Sequence, residues 1–139
     1  MKPPKFPSLN NVVTPPSIIR AKALLPIDFC GPVAFSQRID SYIYVDVLTY
    51  SISPYFTNIR RAIYCEGNPP RKTESIHVCG NHSKLWICYI TKKLFDVYIG
   101  SANATAMTLQ EIMYKVSATQ AHALRSYFDE LWTINLPKP

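Results

Sequence analysis

Runs of apolar residues separated by prolines and glycines divide the chain into elements. The run Ser41-Tyr-Ile-Tyr-Val-Asp-Val-Leu-Thr-Tyr is rich in β-branched and aromatic residues and apolar at nearly every position. That is the pattern of a strand buried on both faces and central in a sheet. Ser53 followed by Pro54 has the form of an N-cap with proline at the first helical position, and Phe56, Ile59 and Ile63 recur at helical spacing. This predicts a helix of about ten residues. The stretch Gly67-Asn-Pro-Pro-Arg-Lys breaks it, after which Ser75 to Cys79, Ser83 to Ile90 and Leu94 to Ile99 read as short strands, the last two joined by a turn at Thr91-Lys92-Lys93. Glu111 to Val116 suits another strand, although Leu109-Gln-Glu-Ile-Met also suits a helix. Ser117 and Gln120 have capping-box spacing, and Ala121, Leu124, Phe128 and Leu131 fall on one stripe, which predicts a closing helix. The order implies an α/β fold with a mixed sheet flanked by helices.

The ends of the chain are less regular. Five of the twelve prolines fall at Pro3, Pro4, Pro7, Pro15 and Pro16, so residues 1–17 read as an arm and residues 18–139 as one domain. Ile18 to Ser36 has too little periodicity to assign. With 139 residues and 47% hydrophobic content, the chain can bury one core and is not disordered as a whole. No stretch reaches the roughly twenty apolar residues of a membrane span, and prolines stand where a signal peptide has its apolar block. The expectation is a cytoplasmic protein without a membrane partner. Cys30, Cys65, Cys79 and Cys88 are too few and too scattered for a secreted disulfide framework, and so are expected to be free and mostly buried.

Charge narrows the partner. The net charge is +6, and between Arg60 and Lys93 seven basic residues (Arg60, Arg61, Arg71, Lys72, Lys84, Lys92 and Lys93) oppose Glu66 and Glu74. A polyanion such as nucleic acid is the expected partner, with Arg60, Arg61, Arg71, Lys72, Lys92 and Lys93 as candidate backbone contacts. The basic pairs also suit solvated surface charges.

Two short motifs carry candidate chemistry: His82-Ser83-Lys84 on a predicted strand and Gly100-Ser101-Ala102-Asn103 after the next one. In a strand, His82 and Lys84 project to the same face. A hairpin through Lys92-Lys93 would return Ser101 and Asn103 beside them, giving an imidazole, an ammonium, an amide and a hydroxyl around one phosphate-sized space.

The stretch His82-Ser-Lys-Leu-Trp-Ile-Cys, followed by Val-Tyr-Ile-Gly-Ser-Ala-Asn-Ala-Thr, resembles the H-x-K and G-S-x-N signature of the phospholipase D superfamily. The likeness extends more weakly from Tyr42 to Trp132. The family's Asp, five positions after the Lys, is Tyr89 here, and Asp96 does not replace it by position. Some metal-independent nucleases of the family also lack that Asp. The resemblance implies a phosphohistidine mechanism without metal or cofactor, in which one histidine attacks phosphorus and a second protonates the leaving oxygen. Lys84 and Asn103 would hold nonbridging oxygens, Ser101 would assist, and Glu111 would orient the histidine. Only one of the three histidines lies in the motif, so the resemblance implies a homodimer with two His82 side chains at its axis. Small members with one motif copy are mostly nucleases, which makes DNA or RNA the expected substrate.

Four other readings compete. The fold could serve as a catalytically silent nucleic-acid-binding or interaction protein, or as a phospholipid phosphodiesterase, although no basic amphipathic helix favours lipid. His77, Cys79, His82 and Cys88, with Cys65 upstream, could be read as a zinc cluster, but the sequence has no C-x-x-C knuckle. Tyr42, Tyr44, Tyr50, Tyr55 and Phe56 could stack on bases, though core packing explains most of them.

Overall fold

The computed structural model describes residues 29–30, 32–80, 82–106 and 111–137, and gives no side-chain surroundings for residues 29–30 and 32–34. The proline-rich arm and residues 18–28 lie outside the described residues. The elements are β1 (Phe29–Cys30), α1 (Pro32–Ile39), β2 (Tyr44–Leu48), β3 (Ser51–Ile52), β4 (Ile59–Tyr64), β5 (Glu66–Gly67), β6 (Glu74–His77), β7 (Leu85–Tyr89), β8 (Phe95–Gly100), β9 (Met113–Lys115) and α2 (Ala118–Asn135). Among the described residues, no helix is long and apolar enough to cross a membrane.

Seven strands form one mixed sheet in the order β1-β9-β8-β7-β2-β4-β6. The strands β2, β4 and β6 run parallel, and β7, β8, β9 and β1 are antiparallel to their neighbours. A separate pair, β3 and β5, lies beyond the ends of β2 and β4. The predicted central strand is thus present, with β7 on one side and β4 on the other.

Both faces of the sheet are covered, which is why its inner strands are nearly continuous apolar runs. On one face Leu48, Ile63, Ile87 and Val97 pack against Leu124, Phe128 and Leu131 of α2. On the other, Val45, Val47, Trp86 and Tyr98 pack against Phe35 and Ile39 of α1. Phe35 meets the rings of Trp86 and Tyr98 edge-on at 5.1 Å each. The buried stripe of α2 is the predicted one, extended by Trp132. Ser117 occupies its N-cap without a side-chain capping bond, so the predicted capping box is not formed.

The predicted helix after Ser53 is not formed. Residues 59–64 are strand β4, which is hydrogen-bonded to β2 on one edge and β6 on the other. Pairing on two edges outweighs the helical spacing of Phe56, Ile59 and Ile63. Residues 113–115 are a strand, which decides the alternative left open there.

The β2–β4 ladder slips by one residue, from Val45 opposite Ile59 to Asp46 opposite Arg61. Arg60 is the extra residue of this bulge. Adjacent strand residues ordinarily point to opposite faces, but the slip lets Arg60 and Arg61 reach the same carboxylate. Asp46 is fully buried and accepts from Arg60 Nε at 3.0 Å and an Arg61 terminal nitrogen at 2.7 Å. Arg61 also bonds Asp129 of α2 at 2.8 Å.

Candidate functional site

The two motifs meet at one end of the sheet. Leu85, which opens β7, stands opposite Ile99 near the end of β8 and opposite Leu48 at the end of β2. Residues 82–84, 101–103 and 49–51 therefore lie side by side beyond this end of the sheet. The β7–β8 hairpin brings this about as the sequence predicts, with one correction: β7 begins at Leu85, so His82 and Lys84 precede the strand. Their side chains take different paths. The His82 ring stacks on Tyr50 with centroids 4.5 Å apart and planes 15° from parallel. The Lys84 ammonium reaches back to the His82 carbonyl oxygen at 2.7 Å.

Asn103 supports this end of the sheet. Its Oδ1 accepts from Tyr50 N at 3.1 Å, Ser51 N at 3.0 Å and the Thr49 hydroxyl at 3.1 Å. Those backbone donors have just left β2 and need acceptors, which the Asn103 carboxamide supplies. With Oδ1 so occupied, Nδ2 is the end of the amide left to donate. His82 and Asn103 are connected through one residue, Tyr50, whose ring carries the first and whose N–H bonds the second.

Ser101 and Glu111 also meet. Ser101 Oγ donates to Glu111 Oε2 at 3.1 Å and accepts from Ile112 N at 2.9 Å, closing the end of β8 onto the approach to β9. Gly100 permits this closure: a Cβ there would lie 2.1 Å from Ile112 O and 2.7 Å from Met113 Sδ. The glycine of the motif is therefore needed for close backbone approach, at a non-special φ.

The proposed backbone-binding cations lie elsewhere. Lys92 and Lys93 occupy the β7–β8 turn, at the opposite end of the sheet from His82, and Arg71 and Lys72 lie in the turn before β6, at that same far end. Arg60 and Arg61, at the start of β4, are held by Asp46. Their guanidiniums also lie over aromatic rings, Arg60 at 4.4 Å from Tyr44 and Arg61 at 4.9 Å from Phe128. Burial pulls the Arg61 guanidinium down, but its hydrogen bonds to Asp46 and Asp129 outweigh this and leave it raised. A cavity of about 320 Å³ on the α2 side is lined by Arg60, Arg61, Glu74, Tyr89, Arg125 and Asp129. Its three cations face Glu74, Asp129 and the Asp46 beneath, so it is electrically balanced. Tyr89, at the position of the family's Asp, opens onto this cavity and not onto the motif end.

The cysteines depart from expectation in part. Cys88 is buried as expected, but Cys79 is exposed and Cys65 only half-buried. Sequence reasoning also passed over Tyr50 as the partner of His82, and Asp46, which stood as one polar residue in an apolar run. The charges of Glu66 and then Cys65 push the Tyr50 phenol up. Among the described residues, no group of three or more His, Cys, Asp or Glu is arranged to hold a metal ion. No protein-family model, curated protein or solved structure matches the chain.

Proposed function

We propose that the chain is a phosphodiesterase of phospholipase D type, a metal-independent nuclease that works as a homodimer. The observation that carries this reading is the meeting of the two motifs at one end of the sheet through Tyr50, whose ring stacks on His82 and whose N–H donates to Asn103. His82 is exposed there and stacked flat on Tyr50, an orientation that leaves the ring edge, where its nitrogens lie, open to a phosphodiester.

In this reading a His82 nitrogen attacks phosphorus, and the bond from phosphorus to the leaving oxygen breaks as the second His82 protonates that oxygen. Water then attacks the phosphohistidine and restores the imidazole. The Lys84 ammonium, released from the His82 carbonyl, and Asn103 Nδ2 offset the charge on the nonbridging oxygens. The other histidines are poor candidates for the acid. His77 Nε2 lies 2.6 Å from the Cys65 carbonyl oxygen, and His122 packs edge-on to Phe95, at the start of β8 and so far from the motif. The acid then has to come from a second chain.

The far cations favour a polymer over a lipid headgroup. Four residue steps of β7 separate the two ends of the sheet, roughly 13 Å at about 3.3 Å per residue. A strand of nucleic acid covers that distance in about four nucleotides at about 3.4 Å each. Lys92 and Lys93 would then touch phosphates remote from the one being cleaved.

The test is turnover of plasmid DNA, a labelled single strand, RNA and phospholipid vesicles in excess EDTA, with DNA binding measured alongside, His82→Ala beside the wild type and the oligomeric state measured by light scattering. The reading requires cleavage by the wild type alone and a dimer in solution. Retained DNA binding without cleavage by either protein would establish the silent binding module, and turnover confined to phospholipid vesicles would establish the lipid enzyme.

A further inference from the structure

Beyond the ends of β4 and β6 a second group of reactive side chains comes together. Tyr64 stands opposite His77, and Val78 N donates to Tyr64 O at 2.8 Å, so the parallel register continues past both strands. It brings Cys65 Sγ to 2.9 Å from Cys79 Sγ. A disulfide bond is about 2.05 Å long, so the two sulfurs are less than about 1 Å from bonding distance. The two are not bonded to each other in the structure, and Cys79 is exposed.

We infer that Cys65 and Cys79 form a reversible disulfide by exchange with a low-molecular-weight disulfide such as glutathione disulfide. The thiolate of one cysteine attacks a sulfur of glutathione disulfide and expels one glutathione thiolate, leaving a mixed disulfide. The second cysteine gives its proton to solvent and attacks the protein-side sulfur, expelling the other glutathione. The cysteines lose two electrons, and glutathione disulfide gains them. This inference does not depend on the phosphodiesterase reading.

The surroundings favour a redox pair over a metal site. His77 Nε2 lies 2.6 Å from the Cys65 carbonyl oxygen, so that nitrogen carries its hydrogen and has no lone pair for a metal. His77 Nε2 also lies 3.5 Å from Cys79 Sγ, and the hydrogen bond with Cys65 and then burial push the Cys79 thiol up, so exchange starts as a fraction of the thiol ionises. The pair is also joined to the stacked His82. Cys65 N and Glu66 N both donate to Tyr50 O, at 3.0 and 2.9 Å, and the Tyr50 ring bears His82. Oxidation would therefore tie down the backbone on which that platform rests.

The experiment equilibrates the 139-residue chain in buffers of graded glutathione to glutathione-disulfide ratio, quenches with acid, and alkylates the remaining thiols for intact-mass and tryptic analysis. The expected result is the joint loss of two alkylation sites and a mass decrease of two hydrogens. Trypsin should then release residues 62–71 linked to residues 73–84, with Cys88 still reduced. Cys65→Ser and Cys79→Ser, checked for folding by circular dichroism, should each abolish the linked peptide. Accumulation of a single glutathione adduct, a bond from either cysteine to Cys30, or Cys65 and Cys79 both alkylatable at every ratio would overturn the inference. So would protection of both thiols by zinc chloride.

Discussion

Replacing Asp46 by Asn removes a buried charge while keeping the side-chain volume. The wild-type carboxylate is 0% exposed and serves two guanidiniums whose side chains are 40% (Arg60) and 18% (Arg61) exposed. Removing one partner of a buried ion pair costs about 3–5 kcal/mol. Arg60 is open enough to turn to water once released, so its share is small. Arg61 cannot turn out as readily, and its Nε already lacks a partner, but it keeps Asp129. The balance puts the cost near the lower limit, about 3 kcal/mol. At about 3 °C per kcal/mol for a domain of this size, that is a fall of roughly 9 °C in Tm. Thermal and urea melts followed by circular dichroism measure it, and the loss should persist at high salt because a buried pair is little screened. Adding Arg61→Met to Asp46→Asn should recover part of the loss by removing the stranded cation. A cost below about 1 kcal/mol would refute the premise that Asp46 is a buried counter-ion.

Three further outcomes follow from the geometry. Gly100→Ala should cost about 3 kcal/mol, the upper end of overpacking, because two of the atoms its Cβ meets belong to the Ile112 and Met113 backbone; urea melts beside the wild type check this. The Tyr42 phenol is pushed up by burial and then by its bonds to Tyr98 and Asp96, and burial pushes the Cys88 thiol up. The folded state thus holds these protons more tightly. That stability is complete below the ordinary values of 9.0 for the thiol and 10.0 for the phenol and is lost as pH rises past them. Tm should fall between about pH 8 and about pH 11, less steeply in Tyr42→Phe, and a flat profile would contradict the assignment. Closing a disulfide across the 14-residue separation of Cys65 and Cys79 should add about 3 kcal/mol, roughly 9 °C in Tm, read by melting the protein with and without reductant.

What the sequence revealed depended on whether its signals were local. The central strand, the β7–β8 hairpin and the closing helix were legible because each depends on the apolar periodicity of its own segment. The helix expected after Ser53 failed because Ile59 to Tyr64 is an interior strand, stabilised by partners distant in sequence. The basic stretch misled in a similar way. Arg60, Lys84 and Lys92 are near in sequence, but β7 carries Lys84 and Lys92 to opposite ends of the sheet, and Asp46 holds Arg60. That Ser101 and Asn103 leave β8 at the end of the sheet where His82 enters β7 was legible from the hairpin. Their partners, Glu111 and the backbone of residues 50–51, follow from the register of β8 with β9 and from those of β7 with β8 and β2, and were not. The meeting of Cys65 with Cys79 rests on the β4–β6 register, which leaves no mark at either cysteine.

The position of β7 determines how its amide hydrogens exchange with solvent. All five of its residues are buried, and each is paired with β2 on one edge and β8 on the other. No fraying end or open edge exposes the amide of Ile87, so it can meet solvent only when the strands and helices around it come apart together. Its exchange rate is therefore a measure of opening of the whole domain, while the amides of the edge strand β6 exchange through smaller, local openings.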